Sequence, residues 1–461
     1  MDYQENKMGT HKIMPLLLSM SIPPTISMMT SALYNIVDSI FVARLGTDAL
    51  AAVSLAFPIQ IFIIAVAIGS GVGVNSYISR KLGEKNFAEA DSAAEHGIVL
   101  SVIHFLILFV LGFLFIKPFF RMFTENQEIL SMGCSYAYIV TFFSLGIIMQ
   151  IGIEKTLQAT GNTLTPMFLQ IIGAGTNIIL DPIMIYGYFG FPPMGVTGAA
   201  IATICGQFAA LFCSLYVLYF RKQAVKIQMK KFKWNSKTVK QIYSVGIPCF
   251  FIISIGSFLV MGINFILTGI SAIAVSLFGI YYKLQTFVYM PTSGITQGAM
   301  PIMGYNYGAG NRKRLLETLN YSMIICAAIN LAGTFIFWVF PREILLLFKA
   351  SDEMMTLGIS ALKIISISFI FGSICFIFAC FLQAIGKGMA SLVITLLRQL
   401  IIILPAAFVM GKLWGLNGVW ASFIAAEFLT CIFSLIIFKY YSKKDNILQK
   451  WNKIILSAVT K

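Results

Sequence analysis

The sequence predicts an all-α integral membrane protein of twelve transmembrane helices in two six-helix lobes. Three observations predict it. Apolar residues make up 58% of the chain and charged residues 11%, against about 45–50% and roughly 25% in a soluble domain. Mean hydropathy is +0.85. Runs long enough to cross a bilayer, about 20 apolar residues each, recur from end to end. Finally, the second half repeats the first at an offset of about 225 residues. Ser21-Ile22-Pro23 returns as Gly246-Ile247-Pro248, Ala52-Val53-Ser54-Leu55 as Ala274-Val275-Ser276-Leu277, and Leu157-Gln158-Ala159 as Leu382-Gln383-Ala384.

The apolar runs place six spans at 14–43, 48–79, 92–117, 129–156, 163–187 and 195–220. Six more follow at 241–270, 273–304, 315–341, 354–384, 388–411 and 415–440. An even number per repeat gives both halves one orientation, related by a pseudo-twofold axis along the membrane normal. The divisions are an N-lobe (1–220), a basic linker (221–240), a C-lobe (241–442) and a tail (443–461) patterned as an amphipathic surface helix. A polar arm precedes the first span without a cleavable signal pattern. Prolines 23, 24, 58, 182, 248, 291, 301 and 405 fall inside spans, and the matched pairs Pro23/Pro248 and Pro182/Pro405 read as kinks.

Basic residues settle the orientation. The arm, the loops near 80–85, 155, 221–240, 312–314 and 387, and the tail hold about 24 of the 33 Lys and Arg. Arg44, Lys117, Arg121, Arg342, Lys349 and Lys412 fall on the other side. Both termini are therefore expected in the cytoplasm of a bacterial cell. The net charge of +15 belongs to these short loops and not to a separable basic domain, so nucleic acid is not an expected partner. The eight cysteines are scattered without metal or disulfide spacing, and the three histidines do not cluster.

An ionisable side chain in hydrocarbon is costly and marks function by default. Asp38, Glu154, Asp181 and Glu427 are the acids within the spans. Asp38 and Asp181 share a depth, each about six residues or near 9 Å from the outer end of its span. They are expected to meet in one pocket open to the outside, as a pair suited to taking up a proton or a sodium ion among oxygens. Tyr34 and Asn35 precede Asp38 by one turn, Asn177 precedes Asp181, and Thr203 and Gln207 of the sixth span reach the same level. The plain alternative for Asp181 is a helix break at Asp181-Pro182. Gln150 lies one turn from Glu154, which reads either as an interfacial or as a cavity residue. Gln158, Met290 and the C-half cations Lys283 and Arg398 complete the candidate cavity residues, while Glu427 reads as structural. The C-half places Ile263 opposite Asp38 and Leu404 or Ala406 opposite Asp181, so only the scaffold was duplicated.

Several motifs resemble those of the multidrug and toxic compound extrusion (MATE) transporters, in particular their DinF/MepA-like bacterial branch. They are Tyr34-Asn35-Ile36-Val37-Asp38 through Leu45-Gly46, Gln158-Ala159-Thr160-Gly161-Asn162, Asn177 through Asp181-Pro182, Gly195-Val196-Thr197-Gly198, and Gly304-Tyr305-Asn306-Tyr307-Gly308. The resemblance covers about residues 13–442. It implies a V-shaped pair of lobes that alternates access and exports cationic amphipathic compounds against H⁺ or Na⁺. It carries coupling roles onto Asp38, Asn177, Asp181 and Thr203. The seventh and tenth spans lack the acids used by the NorM-like branch. No GxxxxGK[ST] loop is present, so an ion gradient and not a nucleotide is the expected energy source. No cofactor beyond the coupling ion is expected, and the working unit is expected to be a monomer in the lipid bilayer. The alternatives are a flippase or exporter of a lipid-linked or other amphipathic metabolite, a membrane enzyme, which would need clustered nucleophiles that are missing, and a non-transporting scaffold.

Overall fold

The computed structural model describes residues 6–348 and 350–444; most of the tail at 443–461 and Lys349 lie outside them. Helix dominates the described residues and no strand occurs among them. In hydrocarbon each backbone N–H and C=O must be paired within its own segment, which the helix alone does for a single span.

The N-lobe spans are Ile13–Ala43, Thr47–Gly83, Phe87–Phe123, the pair Gln127–Phe142 and Leu145–Ala159 bent by 44°, Leu164–Tyr186 and Gly195–Phe220. The C-lobe spans begin with Ser236–Thr268, Ala272–Gly308 and Arg312–Val339, then the tandem Asp352–Ser366 and Ser368–Ala384. The last two form one 57-residue run, Gly388–Lys444, divided at Gly415, whose φ of 60° takes the chain out of helix. The described helices thus give twelve spans, six per half. Length and hydropathy alone single out nine or ten. The break at Gly415 and the more polar Ala272–Gly308 make up the difference.

Local chemistry sets many helix starts. The Asn86 side chain accepts the N–H of Glu89 at the third span, and Asn311 accepts that of Arg314 at the ninth. Such caps satisfy N–H groups that no helix can pair internally. The two asparagines occupy matched places in the halves. The fifth span ends at Gly187 in the left-handed region (φ 78°). It runs unbroken through Pro182, so the helix break considered for Asp181-Pro182 is absent. Near Pro405, by contrast, the eleventh span widens into a π turn at Leu397–Ile401. Proline cannot donate to the carbonyl one turn back, and a π turn is one way to absorb that missing bond.

The lobes meet at the end where the described chain begins and ends. The second span crosses the seventh there, and the first and second pack on the eighth. The approach is glycine-mediated. A Cβ on Gly69 would stand 2.9 Å from the Gly246 carbonyl, and one on Gly73 would fall onto the carbonyl of Ile242. Ser76 Oγ donates to the Gln383 carbonyl at 2.5 Å, and Arg314 donates to that of His11 at 2.6 Å. Toward the opposite end Ile36, Ile40, Phe258 and Met261 are exposed. The first span belongs to both lobes. Leu16, Leu17 and Met20 are buried in one apolar cluster with Ile295, Ala299 and Met303 of the eighth. Its far half packs on the fifth, where Tyr186 Oη donates to the Phe41 carbonyl at 2.7 Å.

The linker is docked, not merely spanning. The backbone N–H groups of Lys226, Gln228 and Asn235 donate to Asp91, Glu95 and His96 Nε2 of the third span.

Substituting Gly73→Val should push the second and seventh spans apart, because overpacking a close backbone contact costs about 1–3 kcal/mol. Spin-label distances between the lobes at the chain-terminal end should lengthen relative to wild type, and no change would contradict this packing.

Candidate functional site

Two polar stripes face each other inside the N-lobe. Tyr34 and Asp38 are one turn apart on the first span, and Asn177 and Asp181 one turn apart on the fifth. The Asn177 amide donates to Asp181 Oδ1 at 3.2 Å and to Thr203 Oγ1 of the sixth span at 3.4 Å. The fifth and sixth spans come this close because glycines meet: a Cβ on Gly206 would lie 2.6 Å from the Gly173 carbonyl. Gln170 Nε2 donates to Ser31 Oγ at 2.9 Å and holds the first span against the fifth. The Asp38 and Asp181 carboxyls lie within electrostatic reach of each other and of the Tyr34 hydroxyl.

Two further residues close this pocket and escaped sequence reasoning. Gln60 of the second span donates to the hydroxyl of the buried Tyr136 on the fourth at 2.7 Å, and Tyr136 in turn approaches Asp38 and Thr203. A lone glutamine in the run Phe57-Pro58-Ile59-Gln60-Ile61-Phe62 was the available signal.

Asp38 Oδ1, Asn177 Oδ1 and Asp181 Oδ2 are buried without a hydrogen-bond partner. Ionised carboxylates only accept, and buried polar atoms are nearly always satisfied. Three unanswered acceptors on neighbouring side chains therefore suit a proton on a carboxyl or a hard cation among oxygens.

Beside this pocket a chamber of about 530 Å³ opens between the lobes. Tyr34, Asn35, Gln150, Glu154, Gln207 and Met290 line it, together with Asn177 and Thr203. Neither carboxyl is part of its wall, which corrects the expectation of one open pocket holding both. Asp181 has no exposed surface. It reaches the chamber through Asn177 and Thr203, because the glycine-tight packing of the fifth and sixth spans turns its stripe into the lobe. Asn35 faces the chamber but donates to the Ser31 carbonyl of its own helix at 2.8 Å.

The chamber floor holds a surprise of charge. Lys155, assigned from sequence to an inner loop, is 6% exposed and extends under the chamber. Its Nζ donates to Gln297 Oε1 of the eighth span at 2.6 Å and to Gln158 Oε1 at 3.0 Å. Glu154 Oε1 stands 3.8 Å from it and accepts from Gln158 Nε2 at 2.9 Å. The loop assignment fails because the helix Leu145–Ala159 continues past Lys155. Glu154 is accordingly a chamber residue and not an interfacial one, and Gln158 lies buried just beneath it.

Both C-lobe cations also depart from the expected cavity roles. Arg398 Nε pairs with Glu427 Oε1 at 3.1 Å, with the guanidinium 4.2 Å from the Phe376 ring centroid. A guanidinium inside the lobe needs a counter-charge, and Glu427 supplies it away from the chamber. Lys283 is exposed and does not line the chamber.

This arrangement has known counterparts. The MatE family model matches residues 23–183 and 248–409, one copy per half. The chain belongs to the MatE family. It is 28% identical over 441 residues to the multidrug export protein MepA of Staphylococcus haemolyticus, covering 94% of this chain and 95% of that one. It is also 28% identical over 413 residues to an FAD transporter of Shewanella oneidensis, covering 87% and 89%. Among solved structures, an outward-facing multidrug resistance MATE transporter superposes with a TM-score of 0.90 at 26% identity, over 96% of this chain and 99% of that one. A transporter from Pyrococcus furiosus described by the reversed polarity of its binding pocket gives 0.87 at 26%, over 99% and 98%. The chain is thus a multi-pass membrane transporter of a multidrug-efflux family with the twelve-span fold.

The geometry makes Asn177 the bridge between the buried acid and the chamber. Asn177→Leu should leave Asp181 and Thr203 unlinked and cost roughly 1–3 kcal/mol of stability. Thermal unfolding in detergent should register this as a clear fall in midpoint, whereas Asn35→Leu should have little effect.

Proposed function

We propose that this transporter is a secondary active multidrug exporter that exchanges cationic amphipathic compounds for a proton or a sodium ion by alternating access. Its termini face the cytoplasm of a bacterial cell, the chamber opens on the side away from them, and a single chain is the working unit. The observation that carries the reading is the trio of partnerless oxygens on Asp38, Asn177 and Asp181, set directly behind a chamber closed at the chain-terminal end. An ion entering from the outside satisfies those oxygens and cancels the charge behind the chamber wall that would hold a cationic drug, Glu154 being already matched by Lys155. From the inside, drug replaces the ion.

Exchange requires that drug and ion either prefer different lobe arrangements or compete for one charge, since a ligand indifferent to both states shifts nothing. Competition comes naturally here, because the chamber wall and the acids are joined through Asn177, Thr203 and Tyr34. The apolar remainder of the wall, including Ile64, Ile68 and Met290, suits flat hydrophobic bodies, with methionine adapting to varied shapes. Export of an anionic metabolite, the alternative reading, would want a positive chamber. Among the described lining residues Lys155 is the one cation, and Glu154 stands beside it.

Dye efflux from inverted vesicles under separate H⁺ and Na⁺ gradients tests this reading. Asp181→Asn should lose gradient-driven efflux by at least about tenfold, the order of one lost charge–charge contact, while remaining folded. Efflux at the wild-type rate in that variant would remove the acids from the mechanism.

A further inference from the structure

The floor network has no part in the exchange scheme above, yet it is built with care. Gly71 of the second span leaves room for the lysine stem: a Cβ there would lie 2.7 Å from Lys155 Cγ. Asn75 Nδ2 donates to the Lys155 carbonyl at 3.2 Å and fixes the end of the fourth span. Gln158 and Gln297 take two of the three ammonium protons, and the third side of Nζ is left to Glu154 at 3.8 Å. Glu154 thus faces the chamber as a carboxylate whose charge is already matched.

Resting on the export reading, we propose that Lys155 is a specificity-determining residue: a built-in cation that occupies Glu154 and so restricts the chamber to substrates with one cationic group. Without Lys155 the chamber would be under two separate negative charges, Glu154 at its floor and the Asp38/Asp181 pair behind the wall at Asn177 and Thr203. A dication with one cationic end at the wall before those acids and the other at the floor would then gain an ion pair with Glu154. With Lys155 in place that second position is filled by the protein itself. The lysine is bound to its site from three directions, through Gln158, Gln297 and the gap at Gly71, so it cannot swing aside for a substrate cation at small cost. Gln297 comes from the C-lobe, which ties this selectivity element to the closed arrangement of the lobes.

The test measures binding of a mono-quaternary and a bis-quaternary ammonium dye to the purified full-length protein by fluorescence anisotropy. In Lys155→Gln, affinity for the dication relative to the monocation should rise about tenfold or more, the order expected for one unit charge several ångströms away inside a protein. Adding Glu154→Gln to that variant should return the ratio to the wild-type value. An unchanged ratio in Lys155→Gln overturns the proposal. So does an equal loss for both dyes, which would make the lysine only a fastener between the lobes. If Lys155→Gln does not fold, Glu154→Gln alone serves: an unmatched ammonium should weaken monocation binding about tenfold, and unaltered binding overturns the proposal. A wild-type chain that binds neither dye overturns both this proposal and the export reading, whereas an unchanged ratio with intact monocation binding overturns the proposal alone.

Discussion

Everything polar in this molecule answers to one constraint: inside the hydrocarbon layer a charge or hydrogen-bonding group must find its company within the protein. The protein meets it in three different ways. In the C-lobe Arg398 and Glu427 pair directly, with Phe376 over the guanidinium, and Glu427 Oε2 alone of that carboxylate is left unanswered. At the chamber floor Glu154 and Lys155 balance each other more loosely through two glutamines. In the N-lobe pocket Asn177 supplies one amide to two oxygens, and three acceptors remain unanswered. One acceptor is left over beside the Arg398–Glu427 pair and three in the N-lobe pocket, so the pocket is where a ligand has most to satisfy.

The first span carries the consequence of that difference across the molecule. Tyr34 and Asp38 belong to the N-lobe pocket, while Leu16, Leu17 and Met20 of the same helix are buried against the eighth span. A change of partner at Asp38 therefore acts on a rod whose other end is seated in the opposite lobe. Pro23 and Pro24 lie between these two regions without breaking the helix. Each proline removes one backbone bond, so the span is most easily bent between its two attachments. Rigid packing at both ends with a weakened middle is the arrangement that the proposed exchange needs to turn a local event at a buried carboxyl into a movement of lobes.

Much of this was legible in the sequence, because the signals were physical. Twenty-residue apolar runs, the 225-residue repeat and the asymmetry of basic loops each reflect the bilayer directly. Asp38 and Asp181 stood out since acids in such runs are expensive, and Asn177 because it precedes Asp181 by one turn. What hydropathy could not convey was direction. Lys155 looked like a loop charge because a window that averages hydropathy cannot distinguish a helix end from a helix that continues one turn under a cavity. Lys283 and Arg398 looked alike as buried cations. One is exposed and the other is paired within its lobe, a difference set by which face of each helix meets a neighbour. The expectation that both carboxyls face the chamber failed for a related reason. Depth follows from residue count, but the side on which a stripe opens depends on glycine contacts such as Gly173 with Gly206.

Comparison of the two halves shows where selection for chemistry overrode the duplication. Caps and turns survive in both: Asn86 and Asn311 cap matched spans, and Gly161 and Gly386 both adopt positive φ at matched turns. Those features maintain a fold that either half needs. The charged positions do not survive. Asp38 is matched by Ile263, fully buried between Leu259 and Leu267 in an apolar cluster. Glu154-Lys155 is matched by Ala379-Cys380, and the Cys380 thiol merely donates to the Thr296 carbonyl at 3.3 Å. Gln158 binds the lysine, whereas its counterpart Gln383 donates to Ser391 and lends its carbonyl to Ser76 of the other lobe. A polar residue kept at both places thus serves charge in one half and lobe contact in the other. Two lobes of one shape, of which the N-lobe gathers two buried carboxyls at one level and the C-lobe pairs its buried acid with Arg398, form an asymmetric pair.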